Sequence, residues 1–121
     1  ILQRGLVLGR ERKDAYVNQL NQFFPKGGDR EIRLIHRLLI CALIEARSCE
    51  RFRVLSENLE DKELSEFYHT LMISEANHYT MFLKLARQYG ERTAVDRLWN
   101  SLLEYEAEVI STLGKEGLIH G

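Results

Sequence analysis

Leu64-Ser65-Glu66-Phe67-Tyr68-His69-Thr70-Leu71-Met72-Ile73-Ser74-Glu75-Ala76-Asn77-His78-Tyr79-Thr80-Met81-Phe82-Leu83-Lys84-Leu85 is the stretch that decides the fold. Within it Leu64, Tyr68, Leu71, Glu75, His78, Phe82 and Leu85, followed by Tyr89, alternate in steps of four and three. That spacing keeps one side of an α-helix facing a partner over its whole length. Two members of the stripe, Glu75 and His78, are polar and sit at positions where a core residue is expected. Gly90 is the expected stop.

Upstream, Asp29 reads as an N-cap with Glu31 in the first turn behind it. A second long helix then carries Leu34, Leu38, Cys41/Ala42, Glu45, Cys49, Phe52 and Leu55 on its stripe. Leu39, Leu43, Ala46 and Val54 form a flank that widens the apolar face, as an inner helix of a bundle requires. The polar segment Ser56 to Asp61 is short, so the two helices are predicted to run antiparallel.

With the turn centred near Glu60, residues whose numbers sum to about 120 lie level. Glu45 then faces Glu75 and Ala42 faces His78, whereas Glu50 falls about five residues, or roughly 7.5 Å, too far along the axis. Glu45 is therefore the expected companion of Glu75 and His78. Glu50 is expected to stand behind the ligands or at the surface.

Unpaired carboxylates in a core cost several kcal/mol, as an order of magnitude, unless they are paired, protonated or bound to a metal. No Lys or Arg occupies a matching core position in the hairpin, so a cation is the natural neutraliser. A metal-free buried polar network is the other reading. Ferritin-like di-iron proteins use one Glu from each of two helices and a Glu-x-x-His from each of the other two. Glu45 with Glu75 and His78 amounts to half of that plan.

The rest of the chain frames this hairpin. Its 121 residues suffice for one core, so residues 1–121 are expected to form a single domain. A hydrophobic share of 45% with a single proline fits a compact helical protein and excludes a disordered one. Lys and Arg number 17 against 18 Asp and Glu, so any nucleic-acid contact must use a local patch rather than a bulk basic field. Cys41 and Cys49, about 12 Å apart on one helix, are too distant for a disulfide, and a cytoplasmic setting is expected. No run is long and apolar enough for a membrane span, and the N-terminus lacks a signal-peptide pattern.

Ile1 to Arg4 reads as the end of a preceding helix with Gly5 as its stop, and residues 6–9 as a connector. A chain that begins with Ile1 is expected to be processed or truncated. Arg10 to Phe24 keeps a loose helical period, and Phe24-Pro25-Lys26-Gly27-Gly28 breaks it. A last helix runs from about Glu91 to Leu113, with Val95, Trp99, Leu102, Glu106, Val109 and Leu113 on its stripe. Gly114 and Gly117 are expected to release a short tail.

Other candidates are weaker. Glu106 either supports His78 from behind or snorkels to water. His36 and His69 read as surface residues, and Cys49 as a core filler. Tyr68 and Tyr79 read as core or as neighbours of a metal pocket. Arg47, Arg51 and Arg53 form a solvated basic face that could also meet phosphates.

Ala42-Leu43-Ile44-Glu45-Ala46-Arg47-Ser48-Cys49-Glu50-Arg51-Phe52, Phe67-Tyr68-His69 and Ser74-Glu75-Ala76-Asn77-His78-Tyr79 resemble the MiaE-type tRNA hydroxylases. Leu118-Ile119-His120-Gly121 is similar to that family's C-terminal ending. The resemblance implies an all-α, ferritin-like helical bundle. It also implies a di-iron monooxygenase that hydroxylates the isopentenyl-type side chain of a hypermodified tRNA adenosine beside the anticodon, using O2 and a reductant.

On that basis Glu45, Glu75 and His78 match one iron half-site, and tRNA is the partner, with the electron donor left open. The resemblance covers the later part of the family's chain, so the other half-site would come from two preceding helices. This chain alone should not hold two irons. Iron storage or peroxide reduction of the ferritin or rubrerythrin kind is the competing reading. A non-catalytic fragment is another, as is a half-site completed only when two chains pair as a homodimer.

Overall fold

The computed structural model describes residues 15–120, with side chains described through residue 114. Among the described residues there is no strand. The chain is all-α, in keeping with the ferritin-like helical bundle expected. A first helix, α1, covers residues 15–21, after which residues 22–29 turn. Then follow α2 (Arg30–Asn58), α3 (Lys62–Tyr89) and α4 (Arg92–His120). The expected features within residues 1–14 lie outside the described residues.

The breaks are physical. Gly27 and Gly28 adopt φ of 94° and 89°, a region that L-residues with a Cβ avoid, so this turn needs its glycines. Asp29 then caps α2, its Oδ1 accepting the Ile32 N–H at 2.8 Å. Asp61 caps α3 in the same way, through the Leu64 N–H at 3.1 Å. Each such cap contributes about 1 kcal/mol.

The chain divides into two compact units, one of them Asp29–Val95. In that unit α2 and α3 pack along their lengths as an antiparallel hairpin. The register is the expected one. The Phe52 and Tyr68 rings stack with centroids 5.9 Å apart, and the Ser65 hydroxyl donates to the Ser56 carbonyl across the turn. Leu39, Leu43, Leu83, Ala86 and Val95 are buried, and Ile35 and Leu38 nearly so. This core lies at the end of the hairpin away from the Leu59–Asp61 turn. Nearer the turn, Val54, Leu55, Leu64 and Phe67 are exposed.

The other unit is made from the two ends of the chain, its described parts being residues 15–28 and 96–120. Leu20, Phe24, Leu102 and Val109 are buried in it together with Glu106. The Tyr16 hydroxyl donates to Glu106 Oε2, and the Tyr105 hydroxyl donates to the Gln19 carbonyl at 2.9 Å.

Further expectations change. Helix α4 does not end at Leu113 but continues through Gly114 and Gly117 to His120. An interior glycine costs about 1 kcal/mol relative to alanine, which weakens a long helix without stopping it as proline would. Gly90 ends α3 without a left-handed residue, since its φ is −138°. Glycine is needed there because a Cβ would come within 2.8 Å of Ile35 Cδ1 and 3.1 Å of Val95 Cγ2. His36 is half-buried, and burial pulls its pKa below the usual 6.5.

No helix is long and apolar enough to cross a membrane, among the described residues.

Candidate metal centre

Glu45 lies mid-way along α2, and Glu75 and His78 lie on adjacent turns of α3. Positions three apart on a helix share a face, so Glu75 and His78 project together. The antiparallel register carries Glu45 to the same level. One ligand atom from each of the three lies within 4.8 Å of the others. The His78 Nδ1 is 3.8 Å from Glu45 Oε2, too far for a hydrogen bond. Glu45 Oε2 is itself shielded from solvent and has no hydrogen-bond partner.

A buried carboxylate oxygen without a donor is expensive, and a cation is the remedy the neighbours allow. Ligand atoms at about 2.0–2.2 Å from one ion can stand up to roughly 4.4 Å apart. The trio therefore needs to contract by only a few tenths of an ångström to bind. Two carboxylates and an imidazole form a mixed hard and borderline donor set, which suits a divalent first-row metal. The Glu45 side chain is 26% exposed and that of His78 is 50% exposed, so the cluster opens on one side.

The remaining candidates have other partners or surroundings. Glu50 is exposed, and both its oxygens accept from Arg47 Nη1 at 2.9 Å. Glu106 is buried in the unit formed by the chain ends, where it accepts from Tyr16. No spacing rule links residues ninety positions apart, so that pairing had no local signal. Cys49 is half-buried and Cys41 exposed, both as free thiols. His69 is exposed, as expected.

Tyr68, read from the sequence as core or as a neighbour of a metal pocket, stacks on Phe52 two turns from the carboxylates. Phe52 is seven residues beyond Glu45, and Tyr68 seven before Glu75. Phe67 adds an edge-on contact to Tyr68, with centroids 5.5 Å apart. The seven-residue offsets were the available signal.

Fold and site together define an all-α protein whose α2–α3 hairpin carries a carboxylate–histidine cluster that could hold a metal ion. The chain belongs to the MiaE family: the family model described as tRNA-(MS[2]IO[6]A)-hydroxylase (MiaE) matches residues 3–121. Two curated relatives bear the name tRNA 2-(methylsulfanyl)-N(6)-isopentenyladenosine(37) hydroxylase. The protein from Pseudomonas putida KT2440 is 43% identical over 118 residues, which is 98% of this chain and 56% of that protein. The one from Salmonella typhimurium LT2 is 36% identical over 115 residues, covering 90% of this chain and 42% of its own length. The chain thus spans about half the length of the curated relatives it matches. No solved structure matches it significantly.

Proposed function

We propose that this chain contributes one metal half-site to a tRNA hydroxylase. Its substrate is the isopentenyl-type side chain of a hypermodified adenosine next to the anticodon. The observation that carries the reading is the convergence of Glu45, Glu75 and His78 around an unpartnered carboxylate oxygen, in a chain of the MiaE family.

In this reading Glu45 and Glu75 bring two negative charges to a ferrous ion and His78 brings a neutral imidazole. What iron supplies when bound is the oxidation: one atom of O2 enters a C–H bond as hydroxyl, and the other leaves as water with two electrons and two protons from a reductant. The helices fix the three donors before any ion arrives, so little ordering accompanies binding. Leu71 and Phe82, each one turn from a ligand and half-buried, limit water on the α3 side.

A complete ferritin-like site needs a second Glu and a second Glu-x-x-His. In our reading those ligands come from outside the hairpin, either from further chain or from a second copy.

The test is hydroxylation of isopentenyl-modified tRNA by the iron-loaded full-length protein, read by mass of the digested nucleoside, with iron per chain measured alongside. A product 16 Da heavier that is lost on Glu75→Ala supports the reading. Iron-dependent O2 consumption with no change to the nucleoside would replace it with iron or peroxide handling.

A further inference from the structure

The chain is almost neutral, so an RNA partner has to be met by a local concentration of positive charge. Helix α2 holds six arginines and four glutamates, and they are not mixed evenly around it. At 3.6 residues per turn, Arg30, Arg33, Arg37, Ser48 and Arg51 fall in one stripe roughly 60° wide, and no carboxylate of α2 lies within it. Glu31, Glu50 and Glu57 point elsewhere, while Glu45 lies beyond one edge of the stripe.

The arginines of this stripe are exposed. Their pairing differs from that of Arg47, which lies outside the stripe and is engaged with Glu50 at 2.9 Å. Arg51 donates only to the neutral Ser48 hydroxyl, at 3.3 Å. Arg30, Arg33 and Arg37 form no ion pair with a described carboxylate. The nearby acid, Asp29, is turned to the Ile32 N–H as a cap. Unpaired guanidinium groups in a row, with no acid among them, make a face complementary to a polyanion. Guanidinium also matches phosphate oxygens in a bidentate fork.

We propose that Arg30, Arg33 and Arg37, extended by Arg51, form the surface on which the phosphate backbone of the tRNA substrate docks. The proposal rests on the hydroxylase reading for the identity of the polyanion, and on the charge layout of α2 for the place. The geometry suits delivery of a base to the site. Arg37 precedes Glu45 by eight residues, or about 12 Å along the same helix, and Arg51 follows it by six, or about 9 Å. Phosphates held before and after Glu45 along α2 would place the intervening nucleotides alongside the stretch of helix that carries it.

Binding of a 17-nucleotide anticodon stem-loop to the whole chain, measured by fluorescence anisotropy from 50 to 300 mM salt, tests this. The variant R30A/R33A/R37A is expected to bind at least tenfold more weakly at 150 mM. Its log–log salt slope should fall by about one for each phosphate that is no longer neutralised. R30K/R33K/R37K should keep most of the affinity. K62A/K84A/R97A, which removes the same charge from other exposed positions, should behave as wild type.

Equal affinity and slope for wild type and R30A/R33A/R37A would overturn the docking surface and leave the hydroxylase reading standing. So would an equal loss in K62A/K84A/R97A, since it would mean bulk charge alone. RNA bound through these arginines with no hydroxylated product from the iron-loaded full-length protein would overturn the hydroxylase reading and keep the surface. A wild-type chain that binds no RNA overturns the docking surface.

Discussion

The two ends of the α2–α3 hairpin are built from the same heptad-like pattern and end up in opposite states. Away from the turn, Leu39, Leu43 and Ala86 have no solvent exposure. Toward the turn, Val54 is 52% exposed and Phe67 56%, although both are as apolar as their counterparts. Glu45, Glu75 and His78 sit between these regions. The contrast separates two tasks: one end supplies packing that holds the register, and the other leaves an apolar face open beside the candidate metal centre. Ionisable groups are tolerated at the boundary because burial there is partial.

The contrast can be broken from the packed end first. Leu43→Ala is expected to lower unfolding free energy by about 2–5 kcal/mol, because a fully buried leucine leaves a cavity. A denaturant midpoint within error of wild type would show that this end is not the stabilising one.

At the boundary, Glu45→Leu should act in two directions. Ferrous-ion affinity by titration calorimetry should fall by about a hundredfold or more, since even indirect support of a ligand is worth about 10–100-fold. The metal-free chain should gain about 1 kcal/mol, because the substitution removes a shielded oxygen with no partner. Loss of stability in the metal-free variant would mean that Glu45 is satisfied in some other way.

At the open end, Phe67→Ser should change stability by no more than about 0.5 kcal/mol, as for other exposed positions. A loss like that of Leu43→Ala would show that this face is covered in solution, and sedimentation would then reveal by what.

The smallest effect is a pH dependence at His36. Its folded pKa is lowered by burial, so the unfolded chain takes up the proton first. The contribution of His36 to stability is therefore intact above about 6.5 and declines as pH falls from there toward the lowered folded value. His36→Gln should flatten the pH profile in that window. An identical slope in both proteins would assign the dependence to another group.

The hairpin, its register and the meeting of Glu45 with Glu75 and His78 were legible from residue spacing alone, because a helix and a short turn leave few geometric choices. The selection of Glu45 over Glu50 followed from the same level-matching, and Glu50 is indeed engaged with Arg47 at the surface. What stayed hidden depends on neighbours rather than on period. A stripe tells which face is apolar but not what covers it, so the exposure of Leu64 and Phe67 could not be read. The burial of Glu106 against Tyr16 joins residues with no local relation. Gly90 looked like a conformational stop, whereas it is required by the closeness of Ile35 and Val95. Gly114 and Gly117 lower the helix propensity of α4 without ending it.

The bond from Tyr16 to Glu106, with its neighbour from Tyr105 to Gln19, has a consequence for the order of events on the ribosome. The hairpin between Asp29 and Val95 is local in sequence, and it can close as soon as its own residues have emerged. The segment that holds Tyr16 is synthesised before the hairpin but finds its acid only after about ninety further residues. At translation speeds of roughly 5–20 residues per second that is an interval of several seconds. During it the Phe23 ring waits without Tyr105, whose ring centroid lies 5.1 Å away in the finished fold. Among the described residues the segment around Tyr16 is therefore the last to be finished, and a nascent-chain protease should cut there well after the hairpin has become resistant.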